Sequence, residues 1–245
     1  MLTASDAFLW EFLGTTLLLL LGNGVNAANS LRTSAAKGTG WVLIAFGWGM
    51  AVYVGASVAD VSGGHLNPAV TIMLALKGAT EWSLVPFYIA GQLLGAIFGA
   101  VLAWAAFKQL FDANNVDEQG KVTGANSETG GIFYTGPAQP HNGWNAVTEF
   151  IATAVLLIFI AFGPAGGELG PLTYFGVAFV IVAIGMSLGT PTGYAINPVR
   201  DFGPRFAYAF LLPIPGKGSA NWGYAWVPIV APMLAAVAVG LVAAL

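Results

Sequence analysis

Asparagine followed by proline occurs twice in this chain in matching surroundings, at Ser62-Gly63-Gly64-His65-Leu66-Asn67-Pro68-Ala69-Val70 and at Thr192-Gly193-Tyr194-Ala195-Ile196-Asn197-Pro198-Val199-Arg200. Each copy reads as an irregular stretch that turns into a helix. Asn is among the best helix N-caps, and proline suits the first helical position, where its missing N–H has no intrahelical partner to lose. The first helix stops early at Lys77-Gly78, a basic last turn followed by a C-cap glycine. From Pro68 to Lys77 is about ten residues and hence about 15 Å, half of a hydrocarbon core about 30 Å thick. One Asn-Pro pair is an ordinary helix start. Two of them, in a strongly apolar chain, predict a pair of half-length helices inside a membrane.

Composition requires the membrane. Hydrophobic residues are 57% of the 245 and charged residues 8%, with a mean hydropathy of +0.76, whereas soluble domains carry about 25% charged residues. The absence of cysteine excludes disulfide frameworks and thiolate metal sites. A net charge of −3 without a basic run argues against nucleic acid as a partner. The first apolar segment follows Asp6 and contains Glu11, which marks it as a retained span and not a cleaved signal peptide.

Apolar runs of spanning length lie at 7–25, 41–59, 84–107, 144–163, 171–189 and 223–244, each near the roughly 20 residues a crossing helix needs. The segments 68–77 and 198–209 are too short to cross and too apolar for water, so they read as re-entrant half-helices. Irregular backbone at membrane depth is tolerated only where it is buried in protein or lines a wet cavity, so residues 60–66 and 190–196 are expected to face one. Glu11-Phe12-Leu13-Gly14-Thr15 on the first span returns as Glu149-Phe150-Ile151-Ala152-Thr153 on the fourth, at similar distances ahead of the two Asn-Pro pairs. The expected fold is an all-α membrane protein, a single channel domain over 1–245 made of inverted repeats 1–107 and 144–245. An odd number of spans per repeat inserts the second upside down, and the half-helix N-termini then meet near the midplane. The polar segment 108–143 reads as an extramembrane loop that either carries a gate or covers the mouth. Gly91, Gly95 and Gly99 recur every four residues on the third span, the spacing of close helix packing in lipid.

The chemistry follows from the helix ends. Each half-helix N-terminus carries about half a positive charge, so two facing ends repel cations. If Asn67 and Asn197 cap through their side-chain oxygens, each keeps an amide NH₂ for the lumen. Backbone carbonyls of Gly63, Gly64, His65 and Leu66, and of Gly193, Tyr194, Ala195 and Ile196, supply acceptors along one wall. Such a row suits a neutral molecule that is polar on one side. Arg200, a cation in a helix's first turn, opposes the macrodipole and points to function, while Asp201 in the same turn is favourable on structural grounds alone. Glu11 and Glu149 read as acceptors for the loops' N–H groups, with a transport role as the alternative. His65 has no second histidine or acid at ligand spacing and reads as a hydrogen-bonded loop residue ahead of a metal ligand or proton relay. His141 reads as solvated. No nucleophile motif, phosphate-cradling loop or metal constellation is present, so the chain is not expected to be an enzyme or to carry a cofactor.

Over its whole length the chain resembles the aquaporin family, and within it the glycerol facilitators, on residues 62–71 and on Gly193-Tyr194-Ala195-Ile196-Asn197-Pro198-Val199-Arg200-Asp201-Phe202-Gly203-Pro204-Arg205. The resemblance implies passive conduction, a homotetramer with one pore per subunit, and a multi-pass protein of the cell membrane with both termini cytoplasmic. The positive charges vote otherwise, for termini outside, on only a handful of residues. Carried over by position, the narrowest ring comprises Arg200, Tyr194 where glycerol channels usually place Phe, Gly185 where water-selective members carry His, and Trp48. Trp48 lies one residue nearer Asn67 than in typical relatives, which leaves Gly47 as the alternative. Val199, in place of the usual Ala, adds methyl groups where the half-helices meet. The resulting expectation is a facilitator for glycerol, water and other small neutral solutes that excludes ions and protons. The alternatives are a water-selective channel or an ion-coupled secondary transporter.

Overall fold

The computed structural model describes residues 2–163 and 172–245, and among them every regular element is helical. In chain order these are α1 (Ala4–Ser30), α2 (Trp41–Val58), α3 (Pro68–Leu76), α4 (Val85–Ala106), α5 (Lys108–Asn114), α6 (Gly130–Phe133), α7 (Asn142–Phe162), α8 (Thr173–Leu188), α9 (Pro198–Phe206) and α10 (Val227–Ala243). A capping box between Thr3 and Asp6 starts α1 earlier than its apolar run suggests. Helices α1, α2, α4 and α7 are long and apolar enough to cross a bilayer. The other two spans are shorter than expected, α8 at 16 residues and α10 at 17. Residues 222–226 fold as turns and Pro228 sits in the first turn of α10, which sets its late start. The expected start of the fifth span, at 171, lies outside the described residues.

Six spans and the two half-helices α3 and α9 form the fold, and their packing is that of an inverted repeat. Helix α1 lies against α2 and α4, and α7 lies correspondingly against α8 and α10. Each half-helix also packs on the third span of the opposite half, α3 on α10 and α9 on α4, while α2 pairs with α8. Both half-helices begin at their proline and end earlier than expected. Lys77 forms the C-cap of α3, and its ammonium donates to Ala161 O at the C-terminus of α7 (2.6 Å), where unpaired carbonyls collect. Helix α9 carries Pro204, which lacks an N–H to bond back one turn, and the chain widens into a π-helical turn at Ala207–Leu211.

The regularly spaced glycines of α4 lie against α1 backbone. A Cβ at Gly91, Gly95 or Gly99 would come within 2.4–2.5 Å of the carbonyl oxygens of Phe8, Phe12 and Thr16 respectively. Gly14 and Gly55 permit the same approach between α1 and α2.

Segment 108–143 differs from the loop its polarity suggests. It contains α5, a 3₁₀ turn at Ala125–Glu128 and α6, and it buries Phe111, Ile132 and Phe133 against Leu31, Tyr208 and Leu212. Its polar residues face inward at several points. Asn126, fully buried, accepts from the Asn114 amide and donates to the carbonyls of Phe111 and Pro215.

Candidate functional site

The half-helix caps meet at the centre of the molecule. Asn67 Oδ1 accepts from Ala69 N (2.9 Å), and Asn197 Oδ1 accepts from Val199 N (3.1 Å) and Arg200 N (3.3 Å). Their amide nitrogens cross over: Asn67 Nδ2 donates to Ile196 O and Asn197 Nδ2 donates to Leu66 O, both at 2.8 Å. The expectation of a whole NH₂ directed at the lumen is therefore corrected. One hydrogen of each amide joins the halves, and one remains.

Two buried carboxylates hold the irregular stretches. Glu11 accepts from His65 N (3.0 Å), Leu66 N (2.7 Å), the Ser62 hydroxyl (2.7 Å) and the Gln92 amide (2.7 Å). Glu149 accepts from Ala195 N (2.9 Å) and Ile196 N (2.8 Å). Both glutamates are fully buried, and both point their oxygens at loop amides in matching positions of the two halves. The first loop is less extended than expected, since Asp60–Ser62 forms a 3₁₀ turn. Beyond it the two loops share one dihedral pattern, with positive φ at Gly63 and Gly193, at Gly64 and Tyr194, and at Leu66 and Ile196. Among the described residues, no donor bonds to the carbonyl oxygens of Gly64, His65, Tyr194 or Ala195.

These loops border a cavity of about 170 Å³ whose wall also includes Trp48, Val52, Asn67, Asn197 and Arg200. A second cavity of about 260 Å³ shares Trp48, Tyr194 and Arg200 with the first, so these three side chains stand at the junction between the two. Trp48, and not Gly47, borders the space: a Cβ on Gly47 would strike Val25 of α1 at 2.6 Å. The Arg200 guanidinium lies over the Trp48 ring, 3.8 Å from its centroid, and Nη1 donates to Phe133 O (3.1 Å). The width left by Gly185 is taken up by the Tyr194 ring, whose Cζ would lie 2.9 Å from a Cβ at position 185. The Tyr194 hydroxyl is buried and has no hydrogen-bond partner among the described residues. Val199 is buried in the apolar core and does not border the cavity.

His65 Nδ1 lies 3.1 Å from the Thr71 hydroxyl, and its ring stacks on Tyr88 with centroids 4.4 Å apart. His141 is exposed and caps α7, its Nδ1 accepting from Trp144 N (3.2 Å). Asp201 accepts from Thr135 N (2.8 Å) and the Thr135 hydroxyl (2.7 Å), and it pairs with Arg205 at 2.7 Å with both side chains fully buried. Arg205 in turn donates to Thr135 O (2.9 Å) and Ala220 O (2.6 Å).

Several residues around the site escape sequence reasoning. Phe133 and Thr135 hold Arg200 and Asp201 from a segment that reads as surface. Trp41 donates through its indole N–H to Gly185 O (2.7 Å) and meets the Tyr194 ring edge-on. Asn26 accepts from the Trp48 indole N–H (3.2 Å). The one available signal is polarity in the wrong place, Asn26 near the end of an apolar span and Arg205 four residues after Asp201, the spacing of a helical ion pair.

The model of the major intrinsic protein family matches residues 1–243. The chain belongs to that family. Among its relatives in the family, the glycerol uptake facilitator protein of Bacillus subtilis (strain 168) is 47% identical over 229 residues, covering 93% of this chain and 80% of the relative. The probable glycerol uptake facilitator protein of Thermotoga maritima is 45% identical over 230 residues, 94% of each chain. The X-ray structure of the aquaglyceroporin from Plasmodium falciparum superposes with a TM-score of 0.79 at 30% identity, covering 97% of this chain and 94% of that one. The family is one of integral membrane channels and not of enzymes.

Proposed function

We propose that this protein is a passive channel for glycerol, water and other small uncharged solutes, working as a homotetramer in the cell membrane with both termini cytoplasmic. The observation that carries the reading is the junction of Trp48, Tyr194 and Arg200. The Trp48 and Tyr194 rings present an apolar corner to a carbon backbone, and the Arg200 N–H groups not bonded to Phe133 O meet hydroxyl oxygens on the other side. The free carbonyls of Gly64, His65, Tyr194 and Ala195 and the second amide hydrogens of Asn67 and Asn197 then pass a polyol onward. Gly63, Leu66, Gly193 and Ile196 shape the same wall. Gly185 admits the Tyr194 ring in place of a polar side chain, which favours a carbon-bearing solute over water alone. Ions are rejected because this path gives a cation two helix N-termini and a buried arginine, and gives an anion no way past the carbonyls. Glu11, Glu149 and Asp201 act as supports for the loops. The repeats 1–107 and 144–245 supply one half-helix each, with 108–143 covering one mouth. The names of the relatives, glycerol uptake facilitators among them, favour glycerol as the solute.

Stopped-flow light scattering on proteoliposomes tests the reading. In a glycerol gradient they should shrink and then reswell faster than empty liposomes, with no acceleration by a proton gradient. Reswelling at the empty-liposome rate would overturn glycerol conduction, and dependence on the proton gradient would mark a coupled transporter.

A further inference from the structure

The aromatic wall of the junction depends on α1, which also lends Leu18 to the wall of the first cavity and Asn26 and Ser30 to that of the second. Gly22 and Asn26 lie four residues apart on α1 and therefore on one face of it. Gly22 forms a notch for the Trp48 ring: a Cβ there would lie 2.3 Å from Trp48 Cζ3. One turn later, Asn26 Oδ1 accepts from Trp48 Nε1 at 3.2 Å. The same amide donates through Nδ2 to Ile132 O at 3.1 Å, beside Phe133, whose carbonyl holds Arg200. Trp48 and Asn26 are 4% and 7% exposed, so neither end of this chain of bonds is replaced by bulk water without cost.

We propose that Asn26 is a positioning residue for selectivity: it fixes the plane of the Trp48 ring and ties that ring, through the residue 131–133 backbone, to the carbonyl that orients Arg200. Two unlike parts of the junction, the apolar face and the cation, are thereby held at one spacing by one side chain. Without the acceptor at position 26 the indole N–H is left to bond whatever enters the cavity. The ring then loses the orientation in which its face meets Arg200. This inference rests on the channel reading given above.

The test is a cycle of Asn26→Leu, which is close in shape but bonds to neither partner, Trp48→Phe, which removes the indole N–H, and the double variant, each in proteoliposomes. The ratio of glycerol to water permeability should fall about fivefold in Asn26→Leu, the scale of one hydrogen bond. In the double variant the further fall beyond Trp48→Phe alone should be smaller than the fall in Asn26→Leu, because only the bond from Asn26 to Ile132 O is then left to lose. An unchanged ratio in Asn26→Leu, or a fall of equal size on top of Trp48→Phe, overturns the proposal. A second measurement needs no variant at position 26 to fold. With ¹⁵N-labelled tryptophan, the Trp48 indole N–H, assigned by its absence in Trp48→Phe, should exchange with D₂O far more slowly than that of Trp144, which is 68% exposed. Exchange at the Trp144 rate overturns the bond to Asn26. That readout stands even if the wild-type channel proves closed to glycerol, so failure of the solute assignment and failure of this inference are told apart.

Discussion

Gly185 and Tyr194 form one unit, because a ring and the absence of a side chain fill the same volume. A methyl at position 185 would sit 2.9 Å from the ring carbon Cζ and 3.0 Å from the hydroxyl, so Gly185→Ala must push the ring toward the lumen. Glycerol flux is expected to drop by about tenfold, the effect of one methyl group in a tight pocket, with a smaller loss of water flux. Equal loss of both in stopped-flow measurements would mean that position 185 does not set the bore. The hydroxyl of Tyr194 makes the opposite prediction. It is buried and has no partner among the described residues, so Tyr194→Phe should leave the unfolding midpoint unchanged or raise stability by up to about 1 kcal/mol. A lower midpoint would reveal a partner for that oxygen. Arg200 was conspicuous in the sequence, as a charge in the wrong turn of a helix. The partners of Arg200 were not, since Phe133 contributes only a backbone carbonyl and no side-chain type announces that.

At the scale of elements, the crossing of α1 and α4 depends on contact between backbones. Gly95→Val would drive a side chain into Phe12 O, already only 2.5 Å from a bare Cβ. The cost is expected to exceed about 3 kcal/mol, visible as loss of monodisperse protein after extraction. Gly223→Val, where a Cβ meets nothing within 4 Å among the described residues, is the matched control and should behave as wild type. The loop supports predict similarly. Glu149→Gln keeps one acceptor and turns an NH₂ toward a second donor, so an N–H of Ala195 or Ile196 loses its partner at about 1–3 kcal/mol. A reduced thermal midpoint together with reduced flux would be the result; an unchanged midpoint would argue against the support role. These features were legible in the chain because they are local or periodic: Asn-Pro caps, glycines every four residues, a glutamate repeated ahead of each motif. Segment 108–143 was not legible. Phe111, Ile132 and Phe133 show no helical period, and the groups that bury them, such as Leu31 and Tyr208, lie far off in sequence. The choice between Trp48 and Gly47 likewise depended on Val25 occupying the space beside Gly47.

For the whole molecule, the absence of native cysteine turns orientation into a direct experiment. A single cysteine at Val122, 65% exposed in the segment between the halves, should react with a membrane-impermeant maleimide in intact cells if both termini are cytoplasmic. Labelling only after permeabilisation would reverse the topology. Finally, the paired amide bonds from Asn67 to Ile196 O and from Asn197 to Leu66 O bear on biosynthesis. When the ribosome has released only the N-terminal portion, the Asn67 cap has no carbonyl to grip, and α3 lacks α10, the helix it packs on across the halves. The first stub therefore waits, incompletely seated, for its counterpart to be translated. The wall of the central cavity, drawn from both Asn-Pro segments, is complete only once the second of them has been made.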